Sequence, residues 1–352
     1  MSLSKYTTLG RSGLIVSPLA LGTMTFGNKN WGADDPMSRQ IFDAYRDAGG
    51  NFIDTADIYS GGESERLIGK FIAERKIRDS IVLATKFAFN ASADNPSAGG
   101  AGAKNIHRAL DASLKRLGTD YIDLYWMHIW DGVTPVEEIV QTLGDLVRTG
   151  KIRYFGFSDM PAWLAMKVAT IATERRVPGP IAMQLEYSLV ARDVESEHFP
   201  AAENAGMGIV PWSPLAGGFL SGKYGRGDAP KAGRLSAANP FGNSKFTNRN
   251  WDILDALHSV ADEMKQPLAQ VALAWVTANP GVGSTLIGAT SVAQLDSNIA
   301  AAGLCLDKDH KKSLDEASAP SLGFTAALAL PSVRRMIFGG HDVTGWSEAE
   351  QS

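Results

Sequence analysis

The chain has 352 residues, long enough for two average domains or for one α/β barrel. Its composition, 44% hydrophobic and 20% charged, is that of a globular protein and excludes disordered, collagen-like and coiled-coil classes. With 34 basic against 38 acidic residues the net charge is −4, which gives no general drive toward nucleic acid or an anionic membrane.

Residues 1–13 contain no apolar core of signal-peptide length, and no apolar run reaches the roughly 18 residues of a membrane helix. The single cysteine, Cys305, can form neither an internal disulfide nor a thiolate metal cage, so the expected compartment is a reducing cytoplasm. Residues 6–16, turning through Gly10-Arg11-Ser12-Gly13, read as a β-hairpin able to plug one end of a barrel. Eight strand-like runs follow, at 19–21, 51–54, 80–86, 121–128, 152–158, 181–184, 208–212 and 284–288. Between them lie amphipathic stretches such as 38–48, 104–117, 135–149 and 161–175, with apolar positions at helical spacing. Eight alternating units predict an α/β fold, a (β/α)8 TIM barrel forming one domain over residues 1–352. Outside the repeat are a long Gly/Pro/Asn-rich loop at 225–250 and two helical segments at 251–265 and 268–279. From about residue 318 a stretch rich in Gly, Pro and Ser shows no clear periodicity, and extra C-terminal helices or a tail are expected beyond the barrel.

Barrel strands are nearly continuous apolar runs, so polar residues at their ends need a reason. The second run delivers Asp54 with Tyr59 just beyond it, the third carries Lys86 between apolar neighbours, and the fourth ends at His128. All lie at C-terminal strand ends, the face on which barrel enzymes build active sites. A buried ammonium requires an anion, and Asp54 on the adjacent strand is the natural one; a structural ion pair and a catalytic pair both satisfy this. Tyr59 favours catalysis, because a nearby ammonium stabilises phenolate and makes proton donation feasible near neutral pH. Beside these three, His128 is a group able to orient or polarise a carbonyl.

Asp54-Thr55-Ala56 followed by Tyr59, Ala84-Thr85-Lys86, and Tyr125 followed by His128 resemble the Asp–Tyr–Lys–His tetrad of the aldo-keto reductases. Further matching segments are Leu21-Gly22-Thr23-Met24, Gly156-Phe157-Ser158, Gln184 with Tyr187, Pro211-Trp212-Ser213-Pro214-Leu215, and Leu286-Ile287-Gly288-Ala289 leading into Gln294 and Asn298. The resemblance runs in order from about residue 4 to 317. Its long insert after Lys223-Tyr224 is most similar to the branch of aryl-alcohol dehydrogenase-like and potassium-channel β-subunit-like proteins.

The resemblance implies a nicotinamide nucleotide across the C-terminal face and hydride transfer to an aldehyde or ketone. Tyr59 would be the general acid, Lys86 held by Asp54 would lower its pKa, and His128 would orient the carbonyl. Ser158 and Gln184 would hold the carboxamide, and Trp212 would stack on the nicotinamide ring. Asp159 stands where the family commonly has Asn, and a carboxylate cannot donate as an amide does; either Gln184 and Ser158 suffice, or Asp159 accepts from the carboxamide NH2. Further cofactor positions are Gly22, Thr23, Met24, Asp54, Ser213, Pro214, Leu215, Gly217, Lys223, Gly288, Thr290, Ser291, Gln294 and Asn298. Ser291 can also simply cap a helix, with Gln294 at its third position. NADP(H) is favoured and NAD(H) remains open, with Arg234 as a candidate for supplementary phosphate charge. Met24, Phe26, Trp31, Phe89 and Trp130, with Trp212, fall on or near mouth loops and suggest a bulky or aromatic carbonyl substrate.

Competing readings are weaker. The spacing from Gly217 to Lys223 imitates a phosphate-binding loop, but Tyr224 follows where a magnesium-ligating Ser or Thr belongs. No G-x-G-x-x-G opens a helix after the first strand, which disfavours a Rossmann dehydrogenase. The six histidines are scattered, so no metal site is expected. A redox-sensing regulatory subunit is the alternative from another class. Within the modest net charge, residues 223–250 carry six basic residues against one acid, a local +5 suited to a phosphate-rich cofactor, leaving −9 elsewhere.

Overall fold

The computed structural model describes residues 2–28, 30–226, 235, 245–321, 323–328 and 330–343, and the chain divides into two compact units, 1–318 and 319–352. The first unit runs β1 (Thr7–Thr8), β2 (Ile15–Val16), β3 (Leu19–Gly22), α1 (Asp35–Asp47), β4 (Phe52–Asp54), α2 (Glu63–Arg75), β5 (Val82–Phe87), α3 (Ala103–Leu117) and β6 (Ile122–Met127). It continues through α4 (Val136–Arg148), β7 (Ile152–Ser158), α5 (Ala162–Arg175), β8 (Ala182–Glu186), α6 (His198–Ala205) and β9 (Gly208–Trp212). It ends with α7 (Asn248–Met264), α8 (Leu268–Thr277), β10 (Thr285–Ile287), α9 (Val292–Ala300) and α10 (Lys308–Ala317). The second unit contains α11 (Phe324–Leu328) and α12 (Pro331–Ile337), where Pro331 sets the first turn of α12 at a position that needs no amide hydrogen.

The eight strands β3 to β10 form one parallel sheet in the order β10-β3-β4-β5-β6-β7-β8-β9. The two outer members are joined just before β10: the Ile209 amide donates to Gly281 O and the Gly283 amide donates to Ile209 O, both at 2.9 Å. With these bonds and the intervening helices the sheet is a (β/α)8 TIM barrel, as the eightfold alternation predicts. The antiparallel hairpin β1–β2 plugs its N-terminal end. Leu9 is fully buried with the barrel-interior residues, and the Arg11 amide donates to Gly206 O at 2.7 Å. Gly10, at φ +59°, sits so close to the sheet that a Cβ would lie 2.6 Å from Ile181 O, Gly206 O and Gly208 N.

The strands alternate at period two. In β5, Leu83 and Phe87 face the outer apolar layer shared with α3, while Val82 and Ala84 face the barrel interior with Phe52, Leu124, Trp126 and Val210. Gly156 on β7 makes room for the Trp126 indole, since a Cβ there would come within 2.5 Å of that ring. The same alternation carries upward. Above Phe52 comes Asp54, above Val82 and Ala84 comes Lys86, and above Leu124 and Trp126 comes His128, so the polar residues are the topmost inward positions of three neighbouring strands.

Candidate active site

Lys86 is fully buried and its ammonium has three partners: the Asp54 carboxylate, the Thr55 carbonyl at 3.0 Å and the Tyr59 hydroxyl at 3.2 Å. Burial alone would strip the proton from Lys86, but the adjacent Asp54 outweighs it and holds the ammonium above the ordinary lysine range. Asp54 is itself supported, because Gln184 Nε2 donates to its second oxygen at 3.0 Å. Tyr59 opens a single tight turn after β4, in which Ser60, Gly61 and Gly62 all take positive φ. Ser60 pins this turn by donating to Phe26 O at 2.9 Å. His128 follows β6 directly, packed edge-on against Tyr59 at 5.9 Å and Phe89 at 4.9 Å. Burial, reinforced by the Lys86 charge, pushes the imidazole pKa well below the usual value, so His128 is neutral across the physiological range. A cation between a carboxylate and a phenol, with a neutral imidazole alongside, is suited to passing one proton to or from an oxygen atom while stabilising the anion that remains.

The other expected residues divide between the mouth and the interior. Thr23 is fully buried; its hydroxyl donates to Asp54 O at 3.0 Å and contacts Ser64 Oγ at 2.9 Å, so it braces the tetrad from behind. Gly22 pairs in register with Asp54, and Met24 beside it is half-buried. Trp31, Phe89 and Trp130 are half-buried on loops at the mouth. Phe26 is different: the bridge between Phe26 and Ala33 folds its loop inward and the ring is fully buried in the outer core, which removes it from any open pocket wall. Trp163, which the sequence does not single out, is 57% exposed at the start of α5 and meets Trp130 edge-on at 5.7 Å. The loops after β5 and β6, with the start of α3, also border an open hollow of about 460 Å3 lined by residues including Asn90, Lys104 and Asp131; no tetrad side chain lines it. Asp131 ties these loops together by accepting from the amides of Ala101, Val133 and Thr134.

Along the cofactor positions, Ser158 and Gln184 are buried, and Asp159 accepts from Ser158 Oγ at 3.1 Å and from Trp212 Nε1 at 3.0 and 3.1 Å. The Asp159 carboxylate keeps a solvent-facing edge, yet enough protein surrounds it that desolvation lifts its pKa to about 6 against those hydrogen bonds. Past β9, Ser213 Oγ accepts the Gly217 amide at 3.0 Å, Pro214 is buried and Leu215 packs on the core. Lys223 arches over Gly218, where a Cβ would come 2.6 Å from its Nζ. Ser291 caps α9 by accepting from the Gln294 amide at 3.3 Å, while Gln294 Oε1 accepts from the Thr290 amide at 2.9 Å. Asn298 donates to Gly288 O at 3.2 Å, and a Cβ on Gly288 would meet nothing within 4 Å. Open space above Gly288, an ammonium over a glycine turn and a capped helix N-terminus fit an extended phosphate-bearing group. Arg234 lies outside the described residues. Among the described residues no cluster of three metal-ligating side chains occurs and no helix is long and apolar enough to cross a membrane.

One buried acidic pair carries no local sequence signal. Asp57, whose amide donates to Lys86 O at 3.2 Å, is buried with its Oδ1 unpartnered. Its neighbour Glu65 is fully buried and accepts from Thr85 Oγ1 at 2.6 Å and Arg116 Nε at 2.5 Å. Burial first, then the charge of Glu65, pushes the Asp57 pKa from 3.8 to about 7. The folded state therefore retains a proton that the unfolded state releases, and stability is lost as pH rises through that window. Asp57→Asn is expected to melt progressively higher than wild type as pH goes from 5 to 8, a gap of at most about 4 kcal/mol. Melting curves at both pH values check this, and a gap that does not widen with pH contradicts it.

The model of the aldo/keto reductase family matches residues 18–319. The chain belongs to the aldo/keto reductase family. It is 39% identical over 320 residues to an uncharacterized oxidoreductase of Bacillus subtilis, covering 89% of this chain and 95% of that one. It is 36% identical over 302 residues to a probable voltage-gated potassium channel subunit beta of Oryza sativa subsp. japonica, covering 84% and 90%. It is 32% identical over 317 residues to an aryl-alcohol dehydrogenase of Pestalotiopsis microspora, covering 88% and 80%. The family suggested by the tetrad is thus shown, and both kinds of protein in the branch suggested by the long insert are among its relatives. Membership makes this aldo/keto reductase an oxidoreductase of the carbonyl-reducing class in a family that uses nicotinamide cofactors.

Proposed function

We propose that the protein is an NADP(H)-dependent reductase that interconverts an aldehyde or ketone with its alcohol, acting on a bulky or aromatic carbonyl in the cytoplasm. The observation that carries this reading is the buried Lys86 ammonium bonded at once to Asp54 and to the Tyr59 hydroxyl. The nicotinamide, when bound, supplies or accepts the hydride. Tyr59 then donates its proton to the carbonyl oxygen as negative charge builds there, and Lys86 stabilises the phenolate left behind. The neutral imidazole of His128 orients that oxygen, and in alcohol oxidation Tyr59 takes the proton back. Asp54 keeps Lys86 charged, so it acts through the lysine.

Ser158 and Gln184 would hold the carboxamide, Trp212 the nicotinamide face, and Gly22 and Met24 the ring's surroundings. Ser213, Pro214, Leu215, Gly217 and Lys223 would follow the pyrophosphate. Gly288, Thr290, Ser291, Gln294 and Asn298 would hold the adenosine end, with the Thr290 and Ser291 hydroxyls near a 2′-phosphate and Arg234 supplementing their charge. Met24, Trp31, Phe89, Trp130 and Trp163 would form the substrate wall, and the aryl-alcohol dehydrogenase relative favours an aromatic substrate. A panel of aryl and small aliphatic aldehydes with NADPH and NADH tests this. The expected result is repeated turnover, with kcat/KM about tenfold or more higher for aryl aldehydes and for NADPH. Oxidation of NADPH that stops at a single turnover on every carbonyl would instead favour the redox-sensing subunit.

A further inference from the structure

Asp159 follows β7 in the left-handed region, at φ 46°, a conformation that Asn and Asp tolerate better than most residues. Its amide donates to Gln184 O at 3.1 Å, which fixes the end of β7 against β8. Both carboxylate oxygens face one donor, the indole N–H of Trp212, at 3.0 and 3.1 Å, and Ser158 Oγ supplies a second at 3.1 Å. Asp159 and Trp212 are 53 positions apart, so this clamp exists only because β7 and β9 flank β8.

Trading an amide for a carboxylate here gives up a donor and adds a negative charge directly on the indole. Among the described residues the nearby lysines are committed to other carboxylates. Glu186, at the end of β8, is paired with Lys245 at 2.7 Å, and Lys86 is held by Asp54. Among the described residues no Lys or Arg bonds Asp159. An N–H···O− bond is charge-assisted and pulls electron density onto the ring, and an electron-rich indole face attracts cations. The oxidised nicotinamide ring carries a positive charge, whereas the reduced ring is neutral.

We propose that Asp159 is a positioning residue that fixes and polarises the Trp212 indole, so that the site holds the oxidised cofactor more tightly relative to the reduced one. This rests on the reading that Trp212 stacks on the nicotinamide. The clamp also sets the indole plane, because a ring bonded at Nε1 cannot rotate freely about its side-chain torsions.

The test is equilibrium binding of NADP+ and NADPH, followed by protein fluorescence, in wild type, Asp159→Asn, Trp212→Phe and the double variant. Asn retains the shape and an acceptor oxygen, and Asp159→Ala serves as a second variant if the amide perturbs folding. In the single variants at 159 the Kd for NADP+ is expected to rise about three- to tenfold with NADPH within twofold. In the Trp212→Phe background the same substitution should leave the ratio of the two Kd values unchanged. A ratio that stays at the wild-type value in both variants at 159 overturns the proposal, as does an equal change with and without the indole. Trp212→Phe that alters neither Kd overturns the stacking reading itself, an outcome distinct from an inert Asp159 beside a Trp212 whose loss weakens both forms.

Discussion

Tyr59→Phe is expected to bind cofactor as the wild type does and to lose carbonyl turnover by about three orders of magnitude. The phenyl ring keeps the volume and the edge-on packing against His128, so the walls of the site stay in place. What disappears is the one hydroxyl bonded to the Lys86 ammonium, at 3.2 Å. An alkoxide forming on the substrate then has no acid beside it. Lys86 cannot substitute, because it is fully buried beneath the phenol and its proton is held by Asp54. Nor can His128, whose pKa burial keeps well below the usual value, so that it carries no spare proton near neutrality. For the same reason His128 should contribute no limb near 6.5, the ordinary histidine value, to the wild-type pH profile of kcat. Steady-state turnover and a cofactor titration on the same preparation check the prediction; turnover within tenfold of wild type would remove Tyr59 from the role of acid.

The tetrad is legible in the sequence because it violates a local rule. A lysine inside an apolar period-two run stands out, and period two also fixes which way it points, so Lys86, Asp54 and His128 identify themselves strand by strand. The hairpin plug is legible for a similar reason, since Gly10 and Gly13 punctuate an otherwise extended segment. Asp57, Glu65 and Arg116 break no such rule. Glu65 and Arg116 sit on helices where charge is ordinary, and they meet across 51 positions. The burial of Phe26 is not legible either, because an aromatic after a strand looks the same whether its loop stays open or folds inward. The Phe26–Ala33 bridge that decides this is tertiary. The Asp159–Trp212 clamp is hidden likewise: each residue is recognisable alone, and only the barrel order places them side by side.

Removing the anion should harm stability and chemistry together, whereas removing both charges should separate them. In Asp54→Asn the Lys86 ammonium loses its counter-charge and retains only neutral acceptors, the Thr55 carbonyl, the Tyr59 hydroxyl and at best the new amide oxygen, within a fully buried site. Breaking a buried pair from one side typically costs about 3–5 kcal/mol, because the remaining ion is uncompensated. The sign of the pH dependence follows from Lys86. In the wild type its folded pKa is raised, so its contribution is fully present below the unfolded value near 10.5 and is lost only as pH rises through the folded pKa. Without Asp54, desolvation would depress the folded pKa instead, so the variant would lose stability as pH falls below about 10.5. The deficit of Asp54→Asn in melting temperature should accordingly be larger at pH 6.5 than at pH 9. Asp54→Asn/Lys86→Met leaves no charge buried in that layer, and apolar replacement of a buried pair is often neutral or stabilising, so most of the lost stability should return. Turnover should not, because no cation remains beside Tyr59 to stabilise its phenolate. Recovery of kcat along with the melting temperature would show that the pair serves the fold alone.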